Sequence, residues 1–168
     1  GSVWTSHAGQ IRTAPTRAIA HRSRYQEFVE GLAKMATLLP VGEPTDPKTV
    51  VGPLITGAHR ERVEGYIRAG ADEGAEVVTG GGRPSHLDRG FYVEPTLLVE
   101  VLGDMRVARE EIFGPVIVVE TFDDDEEAIQ LANDSNFGLY DYVFTGDSAR
   151  GMRVARRLFG TRVTFADS

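Results

Sequence analysis

The sequence predicts an α/β fold with an open, mostly parallel sheet and crossover helices. Three observations carry this. Short apolar runs alternate with helical patterns along the chain. Pro115 to Phe122 is a β-branched run of the kind found in strands buried on both faces. From Pro115 to Ala166 the pattern reads strand-helix-strand-helix-strand, which is two successive crossover units. A chain of 168 residues fits one domain and buries roughly 70% of its unfolded surface.

The elements follow in order. A helix is expected from Ser23, where Ser23 and Gln26 have capping-box spacing. Tyr25, Phe28, Val29, Leu32, Met35, Ala36 and Leu39 then recur at helical spacing, and Pro40 ends the run. Val41 to Pro53 carries three prolines and two glycines and reads as an irregular loop. A second helix spans about Ala58 to Glu73, with Thr56 as its cap and Gly74 as its stop. Glu76 to Thr79 reads as a strand, and Phe91 to Val101 as an extended segment broken at Pro95. Asp123, Asp124 and Asp125 open a helix through Asn133, with the acids at the favourable end of its dipole. Tyr140 to Thr145 is a strand, Asp147 or Ser148 caps a helix reaching Phe159, and Arg162 to Ala166 is a last strand. The order is roughly β-α-α-β-β-β-α-β-α-β.

Composition excludes several function classes. Hydrophobic residues are 41% and charged residues 26%, as in an ordinary soluble globular protein. A net charge of −7 argues against nucleic-acid binding, which needs clustered positive charge. No apolar run approaches the ~20 residues of a membrane span, and a cytoplasmic location is the default expectation. With no cysteine, disulfides, thiolate metal sites and cysteine nucleophiles are excluded. The four histidines show no metal-ligand spacing, and Gly80-Gly81-Gly82 ahead of Pro84 reads as a plain loop. The acidic run Asp123 to Glu127 fits a helix N-terminus better than a metal site.

The specific signal lies in five blocks. They are Gly9 to Arg17 (GQIRTAPTR), Val51 to Ile55 (VGPLI), Gly90 to Thr96 (GFYVEPT), Glu110 to Val116 (EEIFGPV) and Ala132 to Leu139 (ANDSNFGL). Each is similar to a segment of the aldehyde dehydrogenase superfamily, and they occur in the family's order across nearly the whole chain. The resemblance implies NAD(P)-dependent oxidation of an aldehyde to a carboxylic acid. In that reaction a cysteine thiolate attacks the carbonyl to form a thiohemiacetal, and hydride passes to the nicotinamide. By the match, Arg12 stands at the nucleophile position. A guanidinium is always protonated and has no lone pair to offer, so Arg12 is not competent. Glu111 matches the glutamate that holds the nicotinamide ribose, and Phe113 matches the aromatic residue beside the nicotinamide. The resemblance leaves NAD against NADP open, and neither cofactor is expected to be bound by this chain.

The resemblance also implies a division of the chain. Gly1-Ser2 reads as a tag-cleavage scar, and residues 3–168 as a single truncated catalytic domain without the cofactor-binding domain. The family's general-base glutamate and oxyanion-hole asparagine belong to upstream sequence. Other departures accompany Arg12. His7 stands where many members carry Asn, Tyr140-Asp141-Tyr142 replaces small residues, and Leu158 to Ala166 departs from the usual Gly-Thr-Val ending. Three readings follow. One is an inactive catalytic-domain fragment. Another is a standalone scaffold or protein-binding domain on the same fold, either engineered or a pseudoenzyme. The third is a subunit completed by a separate cofactor-domain chain, against which Arg12 argues. No membrane or nucleic-acid partner is expected. Homo-oligomers through an exposed strand or a former domain interface fit the composition.

Overall fold

The computed structural model describes residues 3–166. A four-stranded sheet has the order β1 (Arg17–His21), β4 (Val116–Phe122), β3 (Thr96–Val99), β2 (Glu76–Thr79). β1, β4 and β3 run parallel, and β2 joins the edge antiparallel. Between these strands come α1 (Tyr25–Leu38), α2 (Gly57–Asp72) and the short α3 (Arg106–Arg109). After β4 come α4 (Asp125–Asn133), β5 (Tyr140–Phe144), α5 (Ser148–Ala155) and β6 (Arg162–Ala166). β5 and β6 pair in parallel as a separate two-stranded sheet.

The sheet separates two apolar layers, because successive side chains on a strand point to opposite faces. Leu97, Val99, Ile117 and Val119 face α1, where they meet Trp4, Val29 and Ala36. Leu98, Val116 and Val118 face α2 and α3, where they meet Val63, Ile67, Val107 and Ile112. β3 and the first five residues of β4 are therefore buried throughout, which is why they read as continuous apolar runs.

Most expected elements form where the patterns put them. Thr56 caps α2 through an N–H···Oγ1 bond from His59 (3.1 Å), and Asp124 caps α4 through the Glu127 N–H (2.9 Å). The acidic run is a helix start: Asp123 pairs with Arg22, Asp125 with Arg150 and Glu126 with Arg157. The differences are local. Helix α1 begins at Tyr25, because Arg22–Arg24 form a 3-10 turn capped by His21, whose ring accepts from the Ser23 N–H. Ser23 bonds to His21 instead of forming the capping box. Phe91 to Pro95 is loop, and only Thr96–Val99 is strand. α5 ends at Ala155, and α3 was not foreseen. The leading strand is Arg17–His21.

One charged pair lies inside this frame. Glu120 on β4 is buried and forms a two-pronged ion pair with Arg17 on β1, which also donates to the Leu131 carbonyl of α4 (2.8 Å). It ties strand to strand and strand to helix. Breaking one side strands the other charge. Glu120→Ala is expected to lower the free energy of urea unfolding by about 3 kcal/mol. The double change Arg17→Met with Glu120→Leu is expected to recover most of that loss. Equal losses from both variants would contradict this account.

On β5, Tyr140, Tyr142 and Phe144 share one face, with ring centroids 4.8 and 6.4 Å apart in sequence. Asp141 points the other way and accepts the Gly160 N–H (3.0 Å). Burial raises its carboxyl above the ordinary carboxylate range, and the Gly160 bond opposes that rise. A folded pKa above the unfolded one means the native state binds the proton more readily. Asp141 therefore costs stability at neutral pH, and the cost shrinks as pH falls below the folded pKa and is gone below the unfolded one. Asp141→Asn keeps an acceptor for Gly160. It is expected to raise Tm at about pH 7 and leave it unchanged at about pH 3, as read by thermal melts at both.

Candidate active site

The site is built on backbone contact. Val3–Gly9 is a 3-10 segment whose last three residues, His7 (φ 49°), Ala8 (φ 55°) and Gly9 (φ 73°), take left-handed conformations. They turn the chain so that Gly9 lies directly on the Gly114-Pro115 peptide, and a Cβ at Gly9 would overlap the Gly114 carbonyl. Gly114 is confined from its other side too, since a Cβ there would sit 2.7 Å from Val63 on α2. The segment carrying Arg12 is thereby pinned to the loop carrying Glu111 and Phe113.

Gln10 extends the junction. Its side-chain amide donates to the His7 and Pro53 carbonyls (3.0 and 3.4 Å) and accepts from the Ile55 N–H (2.9 Å). The Leu54 N–H donates to the Phe91 carbonyl (2.9 Å), and the Thr96 N–H to the Pro115 carbonyl (2.8 Å). Four of the five sequence blocks therefore meet around the N-terminus of α2. The fifth, Ala132 to Leu139, joins α4 to β5. It is fastened by Asp134 to Arg109 (2.6 Å) and by Asn133 to the Arg157 carbonyl and the Phe159 N–H.

One face of α2 grips the Glu110–Phe113 loop. His59 Nε2–H donates to the Phe113 carbonyl (2.7 Å), which fixes the tautomer, since a carbonyl can only accept. Arg62 donates to the Ile112 and Glu111 carbonyls (2.7 and 2.6 Å). Tyr66 donates to Glu110 (2.6 Å), and Arg106 also bonds Glu110 (3.1 Å). Arg106, then Tyr66, hold the Glu110 carboxyl below its ordinary range. The grip matters because Phe113 sits at φ 60°, a left-handed conformation that costs a non-glycine residue about 1–3 kcal/mol.

Arg12 lies in an exposed turn. Glu111 is exposed, with its backbone held and its carboxylate in no ion pair among the described residues. Phe113 is half-buried, and its ring lies edge-on to His59 (6.3 Å). Gly9 and Gln10 belong to the first sequence block, whereas no motif marks His59, Arg62 or Tyr66. The positions 59, 62 and 66 lie at the spacing of one helix face, and that was the signal available. Among the described residues no group of three potential metal ligands occurs.

The sequence profile of the aldehyde dehydrogenase family matches residues 2–167. The chain belongs to the aldehyde dehydrogenase family. It is 45% identical over 148 residues to betaine aldehyde dehydrogenase of Brucella anthropi, covering 87% of this chain and 30% of that protein. It is 46% identical over 153 residues to 5-carboxymethyl-2-hydroxymuconate semialdehyde dehydrogenase of Escherichia coli, covering 88% and 32%. Among solved structures, Mycobacterium tuberculosis aldehyde dehydrogenase complexed with NAD+ superposes with a TM-score of 0.95 at 43% identity, covering 98% of this chain and 34% of that one. This chain thus spans about a third of the length of these aldehyde dehydrogenases. No helix among its described residues is long and apolar enough to cross a membrane.

The packing at Gly9 sets a mutational expectation. Gly9→Ala adds a Cβ into backbone and keeps a left-handed φ, and should cost about 3 kcal/mol. Gly31, inside α1 with nothing near its would-be Cβ, is the control, and Gly31→Ala should stabilise by roughly 0.5–1 kcal/mol. Denaturant midpoints of the two variants read the difference.

Proposed function

We propose that this chain is a catalytic-domain segment of an NAD(P)-dependent aldehyde dehydrogenase, held in the family's local geometry and catalytically silent in this form. The observation that supports it is the Gly9–Gly114 contact. That contact presses the segment bearing Arg12 onto the loop bearing Glu111 and Phe113. In the parent reaction, an aldehyde becomes a carboxylic acid by way of a cysteine thiohemiacetal. Arg12 occupies the nucleophile's place and cannot form that adduct.

The residues present fit a nicotinamide riboside group. The exposed Glu111 carboxylate has two oxygens for two ribose hydroxyl donors. The Phe113 ring would border the nicotinamide, and His59 and Arg62 keep both in place through the loop's carbonyls. When bound, the nicotinamide supplies the hydride acceptor. Positioning of reactants is worth about 7–11 kcal/mol of the barrier. We infer that this chain binds neither NAD nor NADP with measurable affinity. Location in the cytoplasm belongs to the same proposal.

A second reading, a scaffold or protein-binding domain on this fold, draws on Phe137, Leu139, Phe144, Met152 and Phe159, all exposed around β5 and β6. The Asp141 carboxylate turns toward Gly160, and Arg162 on β6 is exposed.

Calorimetric titration with NAD and with NADP is the test, paired with an assay for reduced nicotinamide in the presence of an aldehyde. The expected result is no saturable heat at millimolar cofactor and no turnover. Saturable binding that disappears in Glu111→Ala would replace the silent-segment reading with a cofactor-sensing one, and any turnover would end it.

A further inference from the structure

We propose that a cleft between the C-terminal end of α1 and the end of the β2–β3 ladder binds a small aliphatic amine. The ammonium group is received by Glu94, and the alkyl stem lies on an apolar wall. None of Arg12, Glu111 and Phe113 borders this cleft, so the inference does not rest on the NAD(P) reading.

The cleft has a volume of about 430 Å³, which falls in the range of small-molecule sites. Ala36, Leu39 and Pro40 at the end of α1 form one apolar side, and Pro84 and Pro95 form the other. Pro84 and Pro95 are themselves buried. Proline has no rotamer freedom to lose, so covering an alkyl chain there carries little ordering cost.

The polar edge calls for a cation. Glu94 is half-buried, and its carboxylate enters no ion pair among the described residues. No Lys or Arg borders the cleft among those residues. Helix α1 ends here, and the carbonyls of a helix C-terminus carry partial negative charge. Its last turn holds no basic residue to offset that charge. An ammonium group offers three donors and a positive charge to such an edge. An anionic ligand would meet like charge from Glu94 and from the helix end. A hard metal ion needs more oxygen ligands than one carboxylate supplies, and no group of three potential ligands occurs among the described residues.

The edge is also rigid. The Glu94 N–H donates to the Gly82 carbonyl (3.0 Å), and the Glu94 carbonyl accepts the hydroxyl of the fully buried Thr96 (2.8 Å). That hydroxyl in turn accepts the Gly81 N–H (2.9 Å). Gly80, at φ 72°, lies so close to the Pro95 carbonyl that a Cβ would overlap it. On the opposite wall His86 Nε2–H donates to the Val41 carbonyl (3.0 Å), and Val41 is bridged to the buried Val51. A carboxylate fixed in this way needs little ordering to receive a donor.

Residue-resolved NMR titration of the full 168-residue chain with n-hexylammonium chloride tests this, with n-hexanol and hexanoate as its uncharged and anionic counterparts. The amine should give saturating shifts confined to the amides of Thr37, Val41, Thr79 and Glu94, with a Kd on the order of 1 mM. Hexanol and hexanoate should bind at least about 10-fold more weakly. Glu94→Gln should weaken the amine about 10-fold while the urea midpoint of the chain holds. Thr37→Arg supplies a cation from the chain's own α1 terminus and should block the amine without loss of stability. Equal affinity for hexanol, or undiminished binding in both variants, overturns the proposal. Shifts that reach the acidic run from Asp123 to Glu127 and do not saturate reduce the effect to attraction by a net charge of −7, and overturn it too. So does the absence of any shift at the cleft.

Discussion

The contact of Gly9 with Gly114, backed by Val63, is the constraint on which the rest depends. Three separate stretches of chain meet there, the Gly9 backbone on the Gly114-Pro115 peptide and the Val63 side chain on Gly114. Any added carbon would push the Gly9–Arg12 segment off the Phe113 loop or the loop off α2. Interiors are close-packed and not continuously deformable, so such a junction either closes fully or fails. Its closure makes the remaining bonds geometrically available: Gln10 to Pro53 and Ile55, His59 to Phe113, and Arg62 to Glu111 and Ile112.

The junction also separates two roles that neighbouring glutamates play. Glu110 is spent on structure, pinned by Tyr66 and Arg106, while Glu111 offers only its backbone carbonyl to Arg62 and leaves its carboxylate in solvent. A loop fixed through carbonyls can present its side chains outward without their needing to hold it. That is how a left-handed Phe113 and an exposed Glu111 persist together. The loop is thus held in place by His59, Arg62, Tyr66 and Arg106 on its inner side.

Much of this was legible in the sequence. Thr56, Asp124 and Asp147 announced their helices because a cap needs only a local oxygen at the right offset. The β-branched run at 116–122 announced a strand buried on both faces. The capping box at Ser23 did not form, since His21 competes for the same N–H from two residues away. β1 was expected but not located, because Arg17 and His21 break its apolar pattern, and Arg17 is there for a partner, Glu120, 103 residues distant. Glu111 and Phe113 came from resemblance alone, and no periodicity marks them. The grip of α2 on their loop depends on a tertiary approach that spacing within one helix can suggest but not aim. The split between β5–β6 and the main sheet was invisible for a similar reason. Pattern reports that a strand exists, not which edge it finds.

The central claim is that the Gly9, Gly114 and α2 junction is closed in this chain. It is tested most directly by nuclear Overhauser contacts in solution. The closed junction predicts strong cross-peaks from Gly9 Hα to Pro115, and from the Val63 methyls to Gly114 Hα, in the otherwise unmodified protein. A folded chain that shows neither would contradict it.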